Sequence, residues 1–172
     1  MKKPVVEFSR PLQIDRVPAL GSRDRLAAED KECAALAARL GLFKVHSLSA
    51  FLTSMPWRGG GLRITGNLQA EFDQVSVVSL EIFRSSIECD VERYFLPPHK
   101  SGQDSEIDSD IIQDGVVDLG EVVSETLVLE LDPYPRRPGE VFQDIHEDAE
   151  PVKISHFTGL LKLKRDLGGG KN

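Results

Sequence analysis

The side chains that could bind metal or move protons are scattered along this chain instead of being grouped at motif spacing. The four histidines, His46, His99, His146 and His156, have no partner at a spacing that builds a site. Cys33 and Cys89 are the two cysteines, and the sequence contains no C-x-x-C and no H-x-x-x-H. A zinc centre from Cys89 and His99 needs further ligands at short intervals, so the sequence assigns no metal and no cofactor. Asp104, Glu106 and Asp108 follow the alternate spacing of a calcium loop, but Ser109 stands where that loop needs its turning glycine. A solvated acidic loop accounts for them better. G-x-S-x-G, the G-K-[ST] phosphate loop and G-x-G-x-x-G are all missing from the sequence. No catalytic residue is assigned.

One stretch offers recognition chemistry. Trp57-Arg58-Gly59-Gly60-Gly61 sets an aromatic beside a cation on a glycine-rich turn, which suits base stacking and phosphate contact. An ordinary hairpin turn explains the same residues. With basic residues elsewhere in the N-terminal part, the candidate RNA contacts are Arg10, Lys44, Trp57, Arg58 and Arg63. Charge is unevenly shared. Residues 1–70 carry 11 Lys/Arg against 6 Asp/Glu, residues 71–150 carry 5 against 21, and residues 151–172 carry 5 against 1. Two basic arms therefore flank an acidic middle. The arms favour phosphate and the middle favours basic protein surfaces, while a solubilised surface with a chance imbalance remains the plainer account. With a pI near 5.1 the whole-molecule field opposes autonomous RNA binding.

These residues must be positioned by a modest fold. At 172 residues, 40% apolar and 28% charged, the chain suits one domain over 1–167 with polar loops and a disordered tail at 168–172. Val5–Val17 reads as a strand broken by Pro11. A helix from Ser22 or Asp24 to Leu40 is expected, stopped by Gly41 and supported by an Arg25–Glu29 pair. Leu42–Leu52 reads as a strand, and Pro56 with the glycines as a flexible turn. From Leu62 to Phe72 apolar and polar residues alternate strictly, the mark of a half-buried strand, and Val75–Leu80 and Ile87–Leu96 continue that theme. Short connections favour antiparallel pairing. Residues 99–115 and 138–152 read as mobile acidic loops, and Lys153–Leu167 as a basic terminal element.

Asp118–Leu131 is the clearest helix. Asp118 caps it, Glu121 can reach back, and Leu119, Val122, Val123 and Leu127 form its apolar stripe. Glu121, Ser124 and Glu125 are expected to face water, and Pro133 and Pro135 to stop the helix. It reads as a docking helix. The fold class is α+β, a mainly antiparallel sheet able to close towards a barrel, with two principal helices. No apolar run approaches the ~20 residues of a membrane helix, and the N-terminus lacks an apolar signal core. The cytoplasm is the expected location.

Several segments, in order, resemble the YceD family, the large ribosomal RNA subunit accumulation proteins, and most closely its alphaproteobacterial branch. They are Ile64–Phe72, Gln74–Phe83, the strand ending Phe95-Leu96-Pro97-Pro98, Asp114–Gly139 and His156–Lys164. Asp118, Leu119, Gly120, Glu121, Glu125, Pro133 and Pro135 form the densest part of the match and are the candidate partner-binding or family-signature residues. Many relatives carry C-x-x-C-L where Ser76, Ser79 and Leu80 stand here, so a metal or redox role does not transfer. The resemblance implies a non-enzymatic cytoplasmic factor supporting 23S rRNA accumulation or processing. Its partners would be a ribosomal protein or assembly factor, precursor 23S rRNA, or both. A metal-dependent RNA-processing enzyme and a chaperone-like adaptor for a basic ribosomal protein are the alternatives.

Overall fold

The computed structural model describes residues 7–98 and 108–141. The described residues up to Glu140 form one compact unit, and beyond it only Val141 is described. Of the loop expected at 138–152 only residues 138–141 are described; residues 142–152, the basic element Lys153–Leu167 and the tail 168–172 lie outside the described residues.

The centre of the fold is a long meander. β3 (Lys44–Trp57), β4 (Gly61–Val75) and β5 (Ile82–Leu96) run antiparallel, with β2 (Ser22–Ala27) on the β3 edge. β6 (Asp110–Ile111) adds a short parallel strand beside β5. A separate two-stranded pairing joins β1 (Pro11–Gln13) to β7 (Val116–Asp118). Two helices, α1 (Asp30–Leu40) and α2 (Leu119–Glu130), complete the α+β fold. The sheet stays open instead of closing towards a barrel.

Strict alternation explains the two faces. On β4 the side chains of Leu62, Ile64, Leu68, Ala70 and Phe72 are buried, while Arg63, Gln69 and Glu71 are exposed. β3 follows with Val45, Leu48, Ala50, Leu52 and Ser54 inward. Its imperfect pattern comes from a register shift between Val45 and Ser47, which changes the facing of the strand by one residue. Leu36, Val122, Val123 and Leu127 of the helices join the same buried cluster. Each such aliphatic side chain contributes roughly 1.5–3 kcal/mol by leaving water.

Several expectations are corrected. Residues 22–27 form a strand, not the first turns of a helix. They pair in register with Ser54 to Ser49, and pairing with the sheet edge overrides the local helical pattern. The helix begins at Asp30, where the Glu32 carboxylate accepts from the Glu29 backbone N–H at 2.8 Å, and the Arg25–Glu29 helix pair does not form. Gly41, with φ of 67°, ends it as expected. Of the strand expected over Val5–Val17, Val5 and Val6 lie outside the described residues, and the rest is β1 followed by a 3-10 turn at Ile14–Arg16. Pro56 belongs to β3 and not to the turn. Val75–Leu80 is mostly the connection between β4 and β5, tied by Leu80 N–H to Ser76 O at 3.0 Å. Of the loop expected at 99–115, residues 108–115 contain β6 and the buried Ile112, whose N–H donates to Leu96 O at 2.9 Å. Residues 99–107 lie outside the described residues.

Candidate nucleic-acid interface

Among the described residues both helices pack on one face of the sheet, and the other is a broad polar surface. Strand register fixes its rows. Arg25, Phe51, Asn67 and Asp90 lie side by side across β2 to β5, and the next row holds Arg23, Thr53, Thr65 and Glu92. A third row sets Met55 beside Arg63 and Tyr94, and Trp57 lies beyond it at the end of β3. Cations and aromatics gather towards β2, β3 and the start of β4, joined by Tyr94 from the far end of β5. Carboxylates line β5 at Glu88, Asp90 and Glu92.

The corner at Trp57 is the densest part of this face. The Trp57 and Tyr94 ring centroids are 4.8 Å apart with planes inclined by 54°. The Arg58 guanidinium lies 5.3 Å from the Trp57 ring centre and that of Arg63 lies 5.6 Å from Tyr94. The turn that carries Arg58 needs positive φ at Gly59 (68°) and Gly60 (83°), which glycine adopts without steric cost. Arg63 Nη2 donates to Glu92 Oε1 at 2.7 Å, and the Tyr94 hydroxyl donates to the same oxygen at 2.6 Å. These bonds hold the Glu92 carboxyl below its ordinary range, Tyr94 contributing most, and hold the Tyr94 hydroxyl above its own. A second station lies along β3, where Arg25 sits 5.1 Å over the exposed ring of Phe51.

Of the five candidate RNA contacts, the structure gathers Trp57, Arg58 and Arg63 at this corner. Lys44 begins β3 and stands about 40 Å away along that strand. Arg10 serves the interior architecture: its guanidinium donates to both Glu32 carboxylate oxygens, at 2.8 and 2.9 Å, and lies 4.7 Å from the Phe8 ring centre. Arg23, Arg25, Phe51 and Tyr94 were not among the candidates. Arg23 and Arg25 lay within the expected helix, although R-D-R-L alternates as an edge strand does. Tyr94 joins through pairing with Arg63, 31 positions earlier in the chain, which local patterning does not reveal.

The family-signature residues also find places. Asp118 caps α2 by accepting from the N–H groups of Gly120 at 2.9 Å and Glu121 at 3.3 Å. The same carboxylate accepts from the Arg10 N–H at 2.7 Å and from the Ser9 hydroxyl. The chain at Phe8–Arg10 crosses so near the first turn of α2 that a Cβ on Gly120 would lie 2.4 Å from Phe8 O. Leu119 is buried, and Glu125 pairs with Arg93 at 3.1 Å, which also holds Asp110 at 2.5 Å. Pro135 O accepts from Val77 N–H at 2.9 Å, while Pro133 is exposed and Glu121 half-buried. The apolar stripe of α2 is thus used within the protein's own core and is not itself a surface for docking a partner. Ser124 is buried too, its hydroxyl donating to Gly120 O at 2.8 Å.

A family model described as "Large ribosomal RNA subunit accumulation protein YceD" matches residues 64–164. The chain belongs to the YceD family. No curated protein and no solved structure matches it. The YceD match begins inside β4, so it includes Tyr94, Glu92 and the α2 signature, while Arg23, Arg25, Phe51, Trp57, Arg58 and Arg63 precede it. Where the resemblance places cysteines in other YceD proteins, Ser76 and Ser79 both donate to the Glu140 carboxylate, that of Ser79 at 2.5 Å. Arg137 joins them through its N–H to Glu140 at 3.1 Å and its side chain to Glu81 at 2.5 Å. Those bonds hold the Glu140 carboxyl low, Ser76 contributing most. Among the described residues no three His, Cys, Asp or Glu side chains converge as a metal site, and no helix is long and apolar enough to cross a membrane.

Proposed function

We propose that this protein supports large ribosomal subunit biogenesis in the cytoplasm by binding rather than by catalysis, and that its outer sheet face contacts precursor 23S rRNA. The carrying observation is the segregation of that face into an arginine–aromatic corner and an acidic β5 border. Arginines beside half-buried or exposed rings supply phosphate contact and stacking together. Family membership supports the biological setting. The acidic border favours a second contact, with a basic ribosomal protein or assembly factor, because Glu88, Asp90 and Glu92 project along one strand edge.

The test is complementation of a strain lacking the gene, with 23S rRNA and large-subunit levels as readout. Wild-type protein restores both, and a variant with Arg23, Arg25, Arg58 and Arg63 changed to Gln fails to do so at equal cellular abundance. Full restoration by that variant sinks the reading. Magnesium-dependent cleavage of precursor 23S rRNA by the purified protein would replace it with the enzymatic one.

A further inference from the structure

We infer that the outer face takes a single, unpaired RNA strand laid along β3, its bases stacked at Trp57/Tyr94 and at Phe51; this rests on the reading of that face as the RNA contact. The aromatic geometry points that way first. Trp57 and Tyr94 are inclined by 54°, so each ring keeps an edge or face away from the other, and both are only half-buried. Stacking on such rings requires a base free of its complementary strand. Phe51 lies six residues before Trp57 on the same face, roughly 20 Å along an extended strand, so the two stations suit successive parts of one extended chain.

Charge makes the second argument. Arg23, Arg25, Arg58 and Arg63 accompany the aromatic line, whereas Glu88, Asp90 and Glu92 run parallel to it on β5. Adjacent strands are about 4.8 Å apart, so the carboxylates border the cationic track closely. One phosphate backbone fits along the arginines. A duplex laid on this surface carries a second backbone, which would pass over the carboxylates and be repelled. Arg63 is shared: Glu92 holds it in the unbound protein, and a phosphate must compete for it. Glu92 therefore opposes RNA binding while aligning the groups that perform it.

The full chain has one tryptophan, so its intrinsic fluorescence reports on Trp57 directly. The probe is a mixed-sequence oligoribonucleotide of about 16 nucleotides, compared with the same sequence annealed to its complement. The single strand should quench Trp57, and the duplex should bind at least roughly tenfold more weakly. With an end-labelled strand followed by polarisation, Trp57→Ala should weaken binding by roughly ten- to a hundredfold. Arg25→Gln should weaken it and reduce the dependence on salt. Glu92→Gln should tighten it severalfold, an effect that a purely structural role for Glu92 does not produce. Urea midpoints establish that the variants are folded, and if Trp57→Ala is not, the two conservative variants decide. Equal affinity for duplex, or unchanged binding by folded Trp57→Ala, overturns the single-strand inference and leaves the RNA-contact reading standing. Binding of neither form overturns both.

Discussion

Replacing Gly120 with alanine sets two effects of opposite sign against each other. Inside an exposed helix the change adds about 1 kcal/mol, because alanine loses less backbone entropy on folding. Here the added Cβ would lie 2.4 Å from Phe8 O and 2.8 Å from Phe8 C, both backbone atoms that cannot rotate away. The Phe8–Arg10 segment must lift. Lifting it exposes Phe8, which is fully buried, at a cost of roughly 1.5–3 kcal/mol. It also strains the bonds from Ser9 and Arg10 to the Asp118 cap, a loss of about 1 kcal/mol. The net expectation is destabilisation by about 2 kcal/mol. Urea unfolding followed through Trp57 measures it as a lower midpoint at unchanged slope. Because both changes act on one contact, Phe8→Ala should cost less in the Gly120→Ala background than alone. A higher midpoint for Gly120→Ala, as helix propensity by itself dictates, would refute the close crossing.

Two further outcomes are expected. Ser54 is fully buried and its hydroxyl has no hydrogen-bond partner among the described residues, so Ser54→Ala should stabilise by about 1 kcal/mol, visible as a raised Tm. A lowered Tm would mean that the hydroxyl is satisfied. The Arg10 guanidinium holds the Glu32 carboxyl below its ordinary value, so Glu32 stabilises the fold above the unfolded pKa of about 4.3 and loses that effect as pH falls through the depressed one. Glu32→Gln should accordingly lie furthest below wild type near neutral pH, with the gap closing below about pH 4. A gap independent of pH counts against the ion pair.

What could be read from the residues alone followed their period. Leu62–Phe72 announces its strand because each alternate side chain meets a different medium, and Asp118 announces α2 because a carboxylate there meets free N–H groups. Residues 22–29 misled because their polar residues carry a helical pairing pattern, while a distant partner, β3, decides their conformation. The binding corner was half visible. Trp57, Arg58 and Arg63 stand near one turn, but Tyr94, Phe51, Arg23 and Arg25 reach that face only through strand register. The packing of α2 was hidden for a related reason: an apolar stripe shows that a helix needs a partner, not whether that partner is the same chain, and here the chain's own core takes it.

The bond from the Arg10 N–H to Asp118 joins positions 108 apart in the chain. During synthesis the leading segment emerges long before the helix it must clasp, and the long hairpins wait with a greasy side uncovered. Closure is deferred until α2 clears the exit tunnel, so a truncation just before Asp118 should leave a sticky, protease-sensitive product instead of a smaller working protein. Such late locking ties the covering of the sheet's apolar side to the arrival of α2.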